Sequence, residues 1–492
     1  MSKVFLDWPT FPTAAERATK DEQLRANVRR ATHTIRAKRG ALAAERPDWQ
    51  DLRDSAAAVK DEVLRHLDTY LEQLEAKVRE AGGVVHWAQD AEEANRIVTG
   101  LVQETGETEI VKVKSMLTEE IGLDSALEKA GISARETDLA AAIVQLGDDL
   151  PSHVVVPALH RNRTEIRDVF RREMGKHGRP APENLGDDPE ELAEAARLHM
   201  RDKFLRAKVA VSGANFMIAE TGTLVIVESE GNGRMCLTLP ETLISVVGIE
   251  KVLPTWRDLE IFLQLLARNA TGERMAPYTS SWTGTTDGDG PRTFHLVLVD
   301  NGRTRALADP VGRQALRCIR CGACMNICPV YERTGGHAYG STYPGPIGAV
   351  LSPQLAGMDE PDDPNASLPF ASSLCGACYD ACPVKIDIPS LLVELRHQKV
   401  EHARFGPEAA AMKAASLAMS SSRRWTAAQK AAGLGRVLAG KKGRITNLPG
   451  PLAGWTDARD MPAPPKQTFR QWWASDEGRA ALAKAREEGQ QR

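Results

Sequence analysis

The stretch RCIRCGACMNICPVY, Arg317–Tyr331, contains four cysteines in the spacing CxxCxxCxxxCP. Two-residue gaps allow one tight loop to present successive thiolates to different corners of a cubane cluster, while its backbone N–H groups point at the sulfides. The fourth cysteine of such a run usually ligates a second cluster, because the proline after it turns the chain away. The stretch therefore predicts a module with two iron–sulfur clusters.

A second stretch, SSLCGACYDACPVKI (Ser372–Ile386), repeats the last three cysteine positions of the same template. Ser372 stands where the first cysteine would be, and Pro383 follows the last cysteine. Interleaving the two motifs predicts one complete ligand set and one that is short by a ligand. The first set is Cys318, Cys321, Cys324 and Cys382, and the second is Cys328, Cys375 and Cys378.

Zinc is the competing metal, because CxxC pairs also bind zinc. Zinc saturates at four tetrahedral ligands, whereas seven cysteines in two CP-terminated runs match two cubanes better. A disulfide framework would spread its cysteines along a small secreted domain, but here only Cys236 lies outside the segment 318–382. The clustering therefore favours thiolate ligation in a reducing compartment, and Cys236 is interpreted as a small buried hydrophobe.

The incomplete second set leaves one coordination position open. Ser372 or Ser373 could supply an alkoxide, His337 could supply a nitrogen, or the position could be left to solvent or to a three-iron cluster. The plainer interpretation treats these three residues as loop and cap residues.

The composition is that of an ordinary soluble globular chain. Its 492 residues suggest two to four domains, and 42% hydrophobic with 26% charged residues is enough for a core. The formal charge of −3 gives no reason to expect nucleic acid or an anionic membrane as a partner. The N-terminus shows no signal-peptide pattern, and no apolar run reaches the roughly 18 residues of a membrane span, so a cytoplasmic protein is expected.

Composition shifts divide the chain into four predicted regions. Residues 1–70 read as an Ala, Arg and Glu-rich helical segment, and residues 71–300 as an α/β domain. Residues 301–399 hold the cysteine motifs, and residues 400–492 read as a C-terminal helical region with an extended tail.

The α/β prediction comes from β-branched runs that alternate with amphipathic stretches, which is typical of a largely parallel sheet. The predicted strands lie within residues 82–88, 108–115, 152–159, 208–220, 222–229, 243–253 and 294–300. The predicted helices lie within residues 90–103, 162–174, 190–207 and 255–269. The stretch VESEGNGRMCLTLP, residues 227–240, adds a predicted antiparallel excursion with Gly-Asn-Gly turn chemistry.

Two weaker signals occur in the α/β region. Glu220 precedes a turn into a strand, where a carboxylate works as acid, base or nucleophile, or merely caps the turn. Lys112 and Lys114, followed by Ser115, could hold an anionic ligand at a strand end, or could form a solvated edge. No dinucleotide fingerprint in the required context and no P-loop sequence occurs, so no nucleotide or flavin site is predicted.

Four segments together resemble a known family. They are residues 213–255 (GANFMIAETGTLVIVESEGNGRMCLTLPETLISVVGIEKVLPT), 317–353 (RCIRCGACMNICPVYERTGGHAYGSTYPGPIGAVLSP), 373–389 (SLCGACYDACPVKIDIP) and 462–473 (PAPPKQTFRQWW). The combination is similar to the iron–sulfur L-lactate utilisation protein B family, and the likeness spans almost the whole chain. That family also has three cysteines in the second motif, so Ser372 is no departure from it.

The resemblance implies a lactate-utilisation domain related to the sugar-phosphate isomerase and CoA-transferase group, followed by an α-helical ferredoxin-type module with helical flanks. It implies two 4Fe-4S clusters held by the seven cysteines named above, and an electron-transfer role beside two companion proteins that together oxidise L-lactate to pyruvate and support growth on lactate. A part of an oxidoreductase complex is expected rather than a stand-alone enzyme, with an electron acceptor of unknown identity. The alternatives are another 2-hydroxy acid, such as glycolate, as electron donor, or a ligand-binding scaffold whose clusters are structural.

Overall fold

The computed structural model describes residues 9–358, 363–402, 406–440, 443–448, 450, 453–456 and 459–490. The chain divides into two compact units, Met1–Lys399 and Val400–Arg492. No helix in the described part of the chain is long and apolar enough to cross a membrane.

Helices make up most of the secondary structure. Those that begin in the first unit are α1 (Phe11–Ala18), α2 (Glu22–Ala44), α3 (Trp49–Arg65), α4 (Leu67–Glu80), α5 (Ala91–Thr105), α6 (Met116–Glu120), α7 (Leu123–Lys129), α8 (Leu139–Leu146), α9 (Arg163–Glu173), α10 (Pro189–Arg206), α11 (Asn232–Thr238), α12 (Trp256–Ala270), α13 (Arg303–Ala308), α14 (Ala323–Asn326), α15 (Pro329–Thr334), α16 (Gly345–Ala356), α17 (Ala377–Ala381) and α18 (Ile388–His402). Those of the second unit are α19 (Pro407–Met419), α20 (Ser422–Ala432), α21 (Ala453–Thr456), α22 (Phe469–Trp473) and α23 (Asp476–Gln490). Short 3-10 helices cover Met174–Lys176, Ile249–Lys251, Gly312–Arg317, His337–Tyr339, Pro364–Phe370 and Gly433–Ala439.

The strands form three sheets. They are β1 (Val84–Ala88), β2 (Glu109–Lys112), β3 (Ser133–Glu136), β4 (Val209–Ser212), β5 (Phe216–Ile218), β6 (Thr223–Glu228), β7 (Thr242–Gly248), β8 (Val252–Leu253), β9 (Tyr278–Trp282), β10 (Thr293–Val299), β11 (Arg444–Ile445) and β12 (Met461–Pro462). The six-stranded sheet has the order β1-β10-β7-β4-β2-β3 and is parallel throughout. A four-stranded mixed sheet has the order β8-β5-β6-β9, and β11 pairs with β12 antiparallel in the second unit.

The six-stranded sheet is buried on both faces, which explains the continuous apolar runs of its strands. Side chains of a strand alternate between the faces, so Leu243 and Val247 of β7 pack in the core under α4, whereas Ile244 and Val246 pack in the core under α5 and α7. The predicted α/β class with a largely parallel sheet is confirmed.

The N-terminal helices α2 and α3 pack with α12 and the cysteine region in one apolar core. Val28 of α2 and Ala56 of α3 lie fully buried there with Phe262 of α12 and Met325 of α14. The N-terminal helical segment therefore supports the cysteine region directly.

Two secondary-structure predictions were wrong. Residues 152–159 form bends and turns rather than a strand. The side chain of His153 accepts the N–H groups of Val155 and Val156, so these groups cannot pair with a neighbouring strand. The stretch after β6 forms α11 rather than an antiparallel excursion, since Gly231 adopts the left-handed conformation at the helix start. Strands β3 and β9 lie where no strand was predicted.

Candidate iron–sulfur centre and the adjoining pocket

The first cysteine loop passes through left-handed backbone at two positions. Arg320 has a φ of 61° and Gly322 a φ of 74°, and α14 begins directly after Gly322. Residues with a side chain seldom adopt this conformation, and those that do concentrate at functional sites. The turn places the N–H of Arg320 3.4 Å from Sγ of Cys318, to which it donates. The backbone of this loop is therefore folded around sulfur.

The second cysteine loop repeats that backbone. Leu374 has a φ of 54° and Gly376 a φ of 82°, and α17 begins directly after Gly376. After this helix, the N–H of Ile386 donates to Sγ of Cys382 over 3.3 Å. The two motifs are thus an internal repeat in structure as well as in sequence.

Cys328 lies at the start of α15, and Pro329 is the first residue of that helix. The N–H of Tyr331 donates to Sγ of Cys328 over 3.5 Å. The expected turn of the chain at the CP step is therefore present in the first motif.

Several buried thiols raise one another's pKa. Burial, followed by the charges of Cys318 and Cys382, raises the pKa of Cys321 to about 12. Burial also raises the pKa of Cys382 to about 11, with the charge of Cys318 as a smaller cause. The pKa of Cys324 lies well above its usual value because of burial and the charges of Cys318, Cys321, Cys378 and Cys382.

A second set of thiols interacts in the same way. Burial, followed by the charges of Cys328 and Cys375, raises the pKa of Cys378 to about 12. Burial raises the pKa of Cys328, and the charge of Cys375 adds to the effect. Each of these thiols becomes a stable thiolate only if nearby positive charge compensates it.

The two sets differ in exposure at one cysteine, because Cys328 and Cys378 are as buried as most of the first set and Cys318 is half-buried. Cys321, Cys324 and Cys382 are all less than 10% exposed, whereas Cys375 is exposed to solvent. Leu374, next to Cys375, is 39% exposed. One end of the cysteine region is therefore enclosed and the other reaches the surface.

Two arginines of the N-terminal helices bind the backbone around Cys382. Arg53 of α3 donates to the carbonyls of Cys382 and Tyr379, both over 2.9 Å, and Arg39 of α2 donates to the carbonyl of Ala381 over 2.8 Å. The charge of Arg39 lowers the pKa of Cys321 and that of Arg53 lowers the pKa of Cys382, against the larger effect of burial. Sequence analysis did not identify these arginines, because nothing in a helical Arg-rich stretch marks a contact some three hundred residues away.

Two of the three side chains suggested for the open coordination position have other partners. Oγ of Ser372 accepts the N–H of Leu374 over 3.1 Å, as a cap does. Nε2 of His337 donates to the carbonyl of Leu150 over 2.7 Å, and its ring packs 4.6 Å from that of His160. Ser373 is exposed.

Tyr339 lies beside the second set and was missed from the sequence. It is 2% exposed, and its hydroxyl interacts with the side chain of Cys328. Burial raises the pKa of Tyr339 well above its usual value, and the charge of Cys328 adds to this. The hydroxyl is therefore a protonated group next to a cysteine of this set.

A pocket of about 230 Å³ lies at the carboxyl edge of the six-stranded sheet, next to the first cysteine loop. Three adjacent strands, β2, β4 and β7, end at it, and we call it the sheet-edge pocket. Its polar lining includes Lys114, Ser115, Asp138, Asn215, Glu228, Glu230, Asn232, Glu250, Lys251, Arg303, Arg320 and Tyr343.

Buried ion pairs form the wall between the pocket and the first cysteine loop. Glu250 accepts from Nε of Arg303 over 2.6 Å and from Nη2 of Arg320 over 3.2 Å. Although burial opposes it, the charges of these arginines lower the pKa of Glu250 to about 2. Arg303 also donates to Glu120 over 2.9 Å, and the hydroxyl of Tyr343 donates to Glu120 over 2.5 Å. Removing one member of these buried pairs would leave the other charge uncompensated, so the wall depends on all of them.

The lysine pair predicted at a strand end separates. Lys112 is fully buried and pairs with Asp124 over 2.6 Å and Glu136 over 2.8 Å, away from the pocket. Lys114 and Ser115 line the sheet-edge pocket.

Glu220, the other weak signal of the α/β region, has a capping role. Its carboxylate accepts the N–H of Trp256 at the start of α12 over 3.3 Å.

Cys236, interpreted as a small buried hydrophobe, is buried, and so is His153. Nδ1 of His153 accepts two N–H groups, and a Cβ added at Gly322 would lie 3.0 Å from Cε1 of its ring. Burial lowers the pKa of His153 to about 3 and raises the pKa of Cys236 to about 12. His153 therefore backs the first cysteine loop as a neutral ring.

Three family models match the chain. A LUD domain matches residues 71–299, a 4Fe-4S dicluster domain matches residues 314–386, and a model described as Lactate utilisation protein B, C-terminal, matches residues 394–477.

Curated relatives match over nearly the full length. Lactate utilization protein B of Shouchella clausii is 43% identical over 94% of this chain and 96% of its own. The proteins of the same name from Bacillus licheniformis and Bacillus subtilis are 44% and 42% identical, over 92% and 95% of this chain and 94% and 96% of their own. A solved structure of a DUF162 family protein from Deinococcus radiodurans aligns with 47% of this chain and 98% of its own, at 16% identity and a TM-score of 0.27.

Proposed function

This chain belongs to the lactate utilization protein B family, and we propose that it is the iron–sulfur electron-transfer subunit of a multi-protein complex that oxidises L-lactate to pyruvate. The family membership and the 4Fe-4S dicluster domain make it a lactate-utilisation iron–sulfur protein. The observation that carries the finer proposal is the repeated cysteine loop, which has one enclosed copy beside a pocket and one copy at the surface. An electron carrier needs both a side facing the donor and a side facing the acceptor.

The proposed ligand sets are Cys318, Cys321, Cys324 and Cys382 for the first cluster, and Cys328, Cys375 and Cys378 for the second. The mutual pKa effects support this grouping, since the charges acting on each thiol come mostly from its own set. The donor set also fits the group, because buried thiols with raised pKa values need the positive charge that iron provides. When bound, each cluster takes up and releases one electron at a time.

The chain's own residues prepare both sites. The N–H groups of Arg320, Tyr331 and Ile386 donate to sulfur and thereby stabilise negative charge on it. Arg39 and Arg53 add positive charge beside the first set, and burial excludes water from it. The exposed Cys375 brings the second set to the surface, where companion proteins would exchange electrons with it.

The test is anaerobic purification with iron and sulfide counting, followed by EPR during L-lactate turnover with the two companion proteins. We expect two clusters per chain that become reduced when L-lactate is added. The spectrum of the second cluster also shows whether it holds three or four irons. A protein without iron, or clusters that stay oxidised during turnover, would refute the proposal.

A panel of acids separates the alternatives. If glycolate but not L-lactate reduced the clusters, the electron donor would be another 2-hydroxy acid. Clusters that only stabilise the fold would give a Cys382→Ser protein that melts earlier but whose folded fraction still supports turnover at the wild-type rate.

A further inference from the structure

We propose that the sheet-edge pocket binds a small carboxylate of the 2-hydroxy acid or 2-oxo acid class, with its carboxylate held by Lys114, Lys251 and Arg320. The existence of the anion site follows from the geometry, while the choice of acid class rests on the proposed function.

The pocket has the position expected of a ligand site. It lies where β2, β4 and β7 end, and in open parallel sheets ligands bind at the carboxyl ends of the strands. Its volume of about 230 Å³ is below the roughly 300–1,000 Å³ of drug-sized sites. A small metabolite therefore fits, whereas a dinucleotide does not.

Three cations that line the pocket retain unused donors. Lys251 has no hydrogen bond or ion pair among the described residues. Burial, followed by the charge of Arg320, lowers the pKa of Lys251 to about 7, and a bound anion would favour its charged form. Lys114 makes one hydrogen bond, of 2.8 Å, to the carbonyl of Val155. The Arg320 side chain is 10% exposed, and its Nη1 is buried without a partner in the described part of the chain. A buried, unpartnered guanidinium N–H is costly, and an anion in the pocket would remove that cost.

Three acids of the lining already have partners of their own. Glu250 is already paired with Arg303 and Arg320. Glu228 accepts the N–H of Arg234 over 2.9 Å, and Glu230 accepts the N–H of Leu139 over 3.1 Å. Burial, with the charge of Asp138, raises the pKa of Glu230, which favours its neutral form. The lining therefore combines acids that already have partners with basic side chains that retain free donors, and a small carboxylic acid with a second polar oxygen matches it.

Arg320 connects the pocket with the first ligand set. Its N–H donates to Sγ of Cys318, and its guanidinium lines the pocket, 4.6 Å above the ring of Tyr343. An anion bound to this guanidinium changes the charge beside Cys318. Binding should therefore change the reduction potential and the EPR signal of the first cluster but not of the second.

The experiment is anaerobic isothermal titration of the full-length holoprotein with L-lactate, pyruvate, acetate and inorganic phosphate. We expect saturable binding of L-lactate or pyruvate, at least tenfold tighter than that of acetate or phosphate. Lys251→Met should weaken binding about tenfold or more, and Lys114→Met should do the same if the first variant does not fold. Lys208→Met changes a lysine that is 60% exposed and should bind as the wild type does. An EPR-monitored redox titration with and without pyruvate should show a shift in one cluster only.

Each contrary result has a definite meaning. The inference is overturned by the absence of saturable binding, by wild-type affinity in both folded lysine variants, or by acetate or phosphate binding as tightly as the 2-substituted acids. If the pocket binds nothing while L-lactate still reduces the clusters in the presence of the companion proteins, the inference fails and the proposed function stands. If pyruvate binds but the clusters never accept electrons from L-lactate, the proposed function fails and the site stands as an anion site.

Discussion

The two cysteine loops share one backbone and differ in almost everything around it. Arg320 and Leu374 occupy equivalent positions, both with positive φ, but Arg320 lies in a buried network while Leu374 is exposed. Gly322 packs against His153, whereas an added Cβ at Gly376 would meet nothing within 4 Å. The sulfur-binding geometry is therefore a property of the loop, and the function of each copy is set by what the rest of the chain places against it. Four predictions test this difference, from the largest expected effect to the smallest.

Replacing one cysteine in each set should have the largest effect. Cys382→Ser should remove the enclosed first cluster and destabilise the whole first unit, because metal binding there is coupled to folding. Cys375→Ser should remove only the second cluster, which reaches the surface, and should leave the stability of the first unit nearly unchanged. Iron counting, EPR and thermal unfolding of the two variants measure the difference, with Cys236→Ser as the control that keeps all iron. Equal losses of stability in the two ligand variants would contradict the comparison.

The contacts of Arg39 and Arg53 should stabilise the first ligand set and not the second. Arg53 is 5% exposed and binds two carbonyls, so Arg53→Met should lower the free energy of unfolding by about 3 kcal/mol. Arg29→Met, at a side chain that is 67% exposed, should change it by about 0.5 kcal/mol or less. Denaturant unfolding under anaerobic conditions gives both values. In the Arg53 variant the EPR signal of the first cluster should broaden and that of the second should not, and the reverse pattern would refute the asymmetry.

Stability should depend on pH through His153. Its pKa in the folded chain is about 3, below an ordinary value of 6.5, so the unfolded chain binds a proton more readily. The contribution of the neutral His153 ring to the free energy of unfolding is complete above pH 6.5. It is lost as the pH falls towards 3, by about 1.4 kcal/mol per pH unit. Between pH 6.5 and pH 5 the loss should be about 2 kcal/mol. His153→Asn, which keeps an acceptor for the two N–H groups, should flatten this dependence, and an unchanged slope in that variant would assign the effect to other groups.

The smallest effect compares the two loop glycines. Both have positive φ, so alanine at either position costs roughly 1 kcal/mol for the backbone alone. Gly322→Ala should cost about 1 kcal/mol more than Gly376→Ala, because its Cβ would lie 3.0 Å from the ring of His153. Thermal unfolding of the two variants decides this, and equal costs would show that the ring of His153 moves aside.

The sequence predicted the parts of this molecule that depend on local patterns. The cysteine spacing, the helices α5, α9, α10 and α12 and the apolar strands of the parallel sheet all follow from periodicity or from ligand geometry. Strand β3 has the sequence Ser-Ala-Arg-Glu and a single neighbour at the sheet edge, so no apolar run marks it. Domain boundaries and the ligand sets remain predictions.

The sheet-edge pocket and the arginine contacts could not be predicted, because they depend on residues that are distant in sequence. Lys114 gave a partial signal at the end of β2, but its partners in the pocket lie after β7 and inside the cysteine loop. Only the folded chain brings Lys251 and Arg320 to the same cavity as Lys114. Residues 152–159 show the converse error, in which a local apolar run was overruled by the side chain of His153.

The hydrogen bonds of Arg53 and Arg39 also constrain the order in which the protein is made. Their acceptors at Cys382 and Ala381 lie 329 and 342 residues further along the chain. On the ribosome, helices α2 and α3 emerge long before these acceptors exist, and contacts of such high sequence separation form late in folding. Closure of the N-terminal helices over the cysteine region must therefore wait until the second motif has been translated. Until then the nascent chain lacks both the carbonyls that these arginines bind and three of the seven cysteines, Cys375, Cys378 and Cys382.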